Sequence, residues 1–200
     1  GLRTNAQAVE LLLGANVMNY ETVYIVKDPI RMQDEMHLDT YFNIVGKGKA
    51  VLLESRLQTP VDIYKKEDTS YILKRSDALF KDVLNKEGYG VGCLSKEMQL
   101  LYGINSLAVD DGVIIGVNIS QKKEFKKELD VIEKRIGQRL SGQLSNLSYA
   151  AIDAIHEKYV GILEKLGVRH VEESLISFNH LNHAYGGPHC LTQVIQRSEQ

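Results

Sequence analysis

Two hundred residues, 44% hydrophobic and 25% charged, with a formal net charge of −2, set the outer limits. A chain of that length suits one domain with enough residues to bury a core. The balanced charge gives no electrostatic case for nucleic acid or an anionic membrane, and no apolar run approaches the roughly 20 residues of a membrane helix. The two cysteines, Cys93 and Cys190, form neither a disulfide framework nor a zinc motif, which points to the reducing cytoplasm. The chain opens GLRTNAQ, with no initiator methionine.

In chain order, NAQAVELLL (5–13) reads as a helix start, with Asn5 as N-cap and Gly14 just past the end. ETVYIV (21–26) reads as a buried strand closed by Asp28-Pro29. LDTYFNIV (38–45) and AVLLE (50–54) flank GKGK, a hairpin turn. SDALFKDVLNK (76–86) predicts a helix capped by Ser76, with Leu79, Phe80, Val83 and Leu84 on one face. NSLAV (105–109) and GVIIGV (112–117) predict a second hairpin around Asp110-Asp111-Gly112. Two long helices follow, one on Phe125, Leu129, Ile132 and Ile136, the other on Ile152, Ile155, Tyr159, Ile162 and Leu166. VRHVEES and CLTQVI (190–195) read as the closing strands. No short-period repeat stands out. The order argues for an α/β domain, though not for a clean alternation of parallel strands and crossover helices.

Chemistry concentrates at two places. In MQDEMHLDTYFNIV, His37 and Asp39 are two apart at the entrance to a predicted strand, where side chains two apart share a face. A carboxylate beside an imidazole favours its charged form and fixes its orientation, which suits a general acid/base. The same spacing also arises by chance on a surface turn. In HAYGGPHCLTQVIQR, Cys190 follows Gly186-Gly187, which allow close backbone approach to a ligand. A packed thiol is the other reading there, and it is the one adopted for Cys93. His180, His183 and His189 have no helical frame and no clear fourth ligand, so no metal is expected there. The lysine-rich stretch QKKEFKKELDVIEKRIGQR reads as a solvated amphipathic face.

MHLDTYF, followed some 150 residues on by GGPHCLT, resembles the guanidine-modifying superfamily, and arginine deiminases most of all. The opening GLRTN is similar to that family's G-x-R-T segment, and GINSLAV to its asparagine-containing strand. The resemblance implies a pentein fold, an α/β propeller of ββαβ units around a substrate channel, with only the later units present here. It treats residues 1–200 as a single catalytic domain, incomplete at its N-terminus, with a helical elaboration around 119–166. It implies a covalent mechanism in which Cys190 attacks the guanidinium carbon and His37 moves the protons. Asp39 would hold guanidinium N–H groups, and Arg3 would meet the substrate's α-carboxylate. Such chemistry needs a small guanidinium substrate and no cofactor.

The family's acidic F-x-R-D and E-G-G-D segments have no counterpart in the sequence. Tyr185 stands where deiminases often carry a basic residue. Agmatine, methylated arginines, amidino transfer to a second amine and a non-catalytic binding module therefore stay open beside L-arginine hydrolysis. An incomplete propeller exposes apolar faces and strand edges. Residues 1–200 alone are accordingly expected to be inactive and to associate, homo-oligomers included.

Overall fold

The computed structural model of the chain describes residues 4–120, 147–172 and 189. Asn5 caps helix α1 (Ala6–Gly14) by accepting from the Ala8 amide at 2.9 Å, and Gly14 is its last helical residue. Strand β1 (Thr22–Val26) is half-buried throughout, because it forms the edge of a three-stranded antiparallel sheet. In that sheet β4 (Pro60–Glu67) lies between β1 and the ten-residue β5 (Ser70–Leu79).

The other two sheets share one plan. Strand β2 (Phe42–Gly46) pairs antiparallel with β3 (Lys49–Leu53), and β3 pairs in parallel with β6 (Gly90–Leu94) after helix α2 (Phe80–Lys86). Helix α3 (Lys96–Leu100), capped by Ser95, leads on to β7 (Leu107–Asp110). That strand pairs antiparallel with β8 (Val113–Gly116), which pairs in parallel with β9 (Arg169–Glu172) after helix α4 (Tyr149–Lys165). Both are ββαβ units, the first with the β4-β5 hairpin inserted between its second strand and its helix.

Their registers coincide. Asn43↔Val51, Ile44↔Ala50 and Gly46↔Lys49 recur 64 positions later as Leu107↔Ile115, Ala108↔Ile114 and Asp110↔Val113, with the same bulge. Each hairpin turns on a glycine with positive φ, Gly48 or Gly112, a conformation that costs an L side chain dearly. The carbonyl of that glycine accepts from the first residue of the third strand, Gly90 at 2.8 Å or Arg169 at 2.7 Å. Each helix ends alike. Tyr89 N–H reaches Leu84 O and Val168 N–H reaches Leu163 O, both at 2.9 Å, across the left-handed Gly88 and Gly167.

One core joins the units. Ala50–Leu53 are essentially inaccessible, as expected of a central strand covered on both faces. Val51, Leu52 and Leu94 share a buried cluster with Ile114, Tyr159 and Leu163.

Three sequence expectations need correction. LDTYFNIV is not one strand: Leu38–Thr40 form a 3-10 turn, and β2 begins at Phe42. Ser76 does not cap a helix over 76–86. It lies inside β5 and its hydroxyl bonds Asp62 Oδ1 at 3.0 Å, so the helix starts only at Phe80. Cys93 is not packed away, because β6 leaves it exposed. The helix expected on Phe125 to Ile136, the strand at 190–195 and Tyr185 lie outside the described residues. The long helix on Ile152 and Tyr159 is present as α4, and it buries Leu163 as well.

Candidate active site

His37 and Asp39 sit on the turn that enters β2. Thr40 closes it, its hydroxyl donating to His37 O at 2.6 Å and its amide to the same carbonyl at 3.2 Å. Tyr41 then joins the sheet, accepting from Leu53 N–H at 2.8 Å. A 3-10 turn advances about a third of a revolution per residue, so residues two apart do not share a face. His37 is the extended N-cap of this turn, so the strand alternation that motivated a shared face for His37 and Asp39 is absent here. His37 is exposed and Asp39 is half-buried.

Two other side chains converge on Asp39. Asn105 Nδ2 donates to Asp39 Oδ2 at 3.0 Å and to its backbone carbonyl at 3.3 Å. His189 Nδ1 stands 3.1 Å from the same Oδ2. The imidazole on this carboxylate is thus that of His189, which the sequence singled out only as a metal candidate. The contact spans 150 positions, and His189 is the residue before Cys190 in the sequence. Cys190 and Arg3 themselves lie outside the described residues.

The segment bearing Asn105 is held in return by β2. Asn43 Nδ2 donates to Ile104 O at 2.9 Å and to Ser106 O at 2.6 Å, and both asparagines are buried. The two amides cross-brace the units, Asn43 fixing 104–106 and Asn105 fixing Asp39. Asn43 is the one polar residue in the run FNIV, a signal visible in the sequence but passed over.

Behind the turn lies a buried ionic cluster. Arg56, fully inaccessible, donates from Nε to Glu35 Oε2 and from Nη1 to Asp28 Oδ1 at 2.8 Å. Its guanidinium lies 4.6 Å from the centre of the Tyr41 ring. Lys96 Nζ bridges Glu35 and Asp34. Burial pushes the Tyr41 phenol up to about 12, so it stays neutral across the working range. Burial opposes the charge on Arg56, but hydrogen bonds to Asp28 and Glu35 outweigh it and raise its pKa.

Although Cys93 is solvent-exposed, partial desolvation and then the Glu54 carboxylate raise its thiol and so disfavour the thiolate. A cleft of about 440 Å³ between α4 and β9, lined by Val160, Glu164, Val168 and His170, includes none of the residues around Asp39. Among the described residues no histidine, cysteine or acidic cluster is arranged to hold a metal, and no helix is long and apolar enough to cross a membrane.

Among the described residues the site is thus an imidazole on a carboxylate that a buried amide holds, set in a mixed α/β fold. The family model for arginine deiminase matches residues 1–197, and the chain belongs to the arginine deiminase family. No curated protein matches it.

Proposed function

We propose that the protein hydrolyses a guanidinium group, L-arginine giving citrulline and ammonia, with Cys190 as nucleophile. Family membership supports this reading, and one structural observation carries it furthest. Asp39, aimed by Asn105, meets the histidine next to Cys190. A guanidinium carbon is a weak electrophile because its charge is delocalised. A carboxylate that pairs with the guanidinium N–H groups orients it and favours attack at carbon.

The Cys190 thiolate forms a C–S bond and gives a tetrahedral adduct. Collapse of that adduct breaks a C–N bond, and the departing nitrogen leaves as ammonia with a proton from His37. An S-alkylthiouronium remains on sulfur. Water, deprotonated by His37, then attacks the same carbon, and breakage of the C–S bond returns the thiolate and releases the ureido product. Arg3 meets the α-carboxylate. These residues work in a pentein propeller of which the two ββαβ units are part, and the enzyme acts in the cytoplasm without a cofactor.

Ammonia and citrulline released from arginine as the only amine test the reaction. Product seen only after a second amine is added would make the protein an amidinotransferase. Cys190→Ser should abolish turnover with little change in stability. Arg3→Ala should weaken arginine binding far more than agmatine binding, since agmatine lacks the α-carboxylate.

A further inference from the structure

Arg56 reaches both ends of the turn that carries His37 and Asp39. Glu35, which it bonds through Nε, lies two residues before His37. Tyr41, whose ring it faces at 4.6 Å, lies two residues after Asp39. A third arm to Asp28 anchors the loop that leads in, where Asp28 Oδ1 also accepts from the Arg31 amide at 3.0 Å. Lys96 and Gln99, from the α3 side, hold Asp34 through its carboxylate and its backbone carbonyl.

The cluster is poorly explained as a device for stability. It holds three carboxylates, of Asp28, Asp34 and Glu35, against two cations, and a buried ion pair seldom outperforms apolar side chains of the same volume. Arg56 Nη2 and Asp28 Oδ2 are both buried without a hydrogen-bond partner among the described residues, so the fork is not saturated. A fixed planar fork can, however, hold several groups at set angles, which a lysine cannot. We propose that Arg56 is a positioning residue: it fixes the turn so that His37 and Asp39 stand at the distances that proton transfer and guanidinium pairing require. This rests on the hydrolase reading for its effect on rate, and on the geometry alone for its effect on the turn.

The test uses the full-length protein with Arg56→Lys, which keeps the charge and loses the fork, and Lys96→Gln, at a less buried site that tolerates change better. In Arg56→Lys the NMR resonances of the His37 imidazole and the Asp39 amide should move while those of His156 on α4 stay. The value of kcat for arginine should fall about 100-fold at temperatures where the variant is folded, the loss that an ångström of misplacement can bring. Lys96→Gln should move the same resonances in the same sense by less. If both variants lose thermal stability but keep wild-type His37 resonances and wild-type kcat, Arg56 is a structural residue only and the proposal is overturned. If the wild-type protein itself releases no ammonia from arginine, the hydrolase reading falls, and the His37 and Asp39 resonances alone decide whether Arg56 sets the turn.

Discussion

Asp39 Oδ2 takes contacts from both Asn105 and His189, so its orientation depends on residues from two distant segments. Asn105→Asp would set a second carboxylate about 3 Å from the first. Like charges that close cannot both ionise cheaply, and one would hold a proton. The expected result is a loss of turnover of at least tenfold at neutral pH, partly recovered in Asn105→Ser, read from ammonia release across a pH series. A second expectation concerns acid stability. Burial pushes the carboxyls of Asp28 and Asp62 up, but hydrogen bonds from Arg56 and the Arg31 amide to the first, and from Lys27 and the Asp77 amide to the second, pull both below the ordinary value of 3.8. A carboxylate with a depressed folded-state pKa contributes stability that is complete above its unfolded value and is lost as pH falls through the folded one. Denaturant midpoints should therefore be level above about pH 5 and decline below the ordinary carboxylate range. Asp62→Asn should flatten that decline, and an unchanged acid limb would remove Asp62 from the account.

At the scale of elements, the two hairpin tips pack on one another. A Cβ on Gly46 would lie 2.6 Å from the Gly112 amide nitrogen and 2.8 Å from Asp111 Oδ1, and Lys47 N–H already bonds that oxygen at 2.8 Å. Backbone cannot move aside as a flexible side chain can, so Gly46→Ala should cost about 1–3 kcal/mol. Gly14, with nothing within 4 Å of an added Cβ at the end of α1, supplies the control, and Gly14→Ala should be neutral or slightly stabilising by calorimetry. These hairpins were legible because Gly-Lys-Gly and Asp-Asp-Gly state their turn geometry locally. The repeat was not, since glycine turns and helix ends preserve its register while the side chains differ, Val51 answering to Ile115 and Leu52 to Gly116. Ser76 misled for a related reason. Its hydroxyl satisfies Asp62 across a bulged strand pair, a long-range bond that resembles a cap signal when read locally. His37 and Asp39 were singled out by residue type, but the local backbone was misjudged because a 3-10 turn stands where alternation suggested a strand. The part played by His189 required a contact across 150 positions, which no local pattern encodes.

Across the whole molecule, cohesion between the units depends heavily on Asn43. Its amide supplies hydrogen bonds to the carbonyls of Ile104 and Ser106 inside the shared core. Asn43→Leu keeps the volume but strips buried acceptors of a donor, at about 1–3 kcal/mol for each group left unsatisfied. Thermal unfolding should shift down by several degrees, and turnover should fall as well, because the displaced 104–106 segment carries Asn105. A destabilised variant with undiminished kcat would show that the two asparagines act independently.

The long reach of the Asp39 contacts also dictates an order of events in time. The hairpins close over a few residues, whereas Asp39 must find Asn105 across 66 positions and His189 across 150. Closure entropy rises with loop length, and distant pairings are made late in proportion. The full-length protein diluted from denaturant should regain its far-ultraviolet signal first and, on the proposed hydrolase reading, ammonia release measurably later. On this account the interval reflects the time His189 takes to reach Asp39. Asn105→Ala should lengthen that interval, because it removes the shorter of the two tethers.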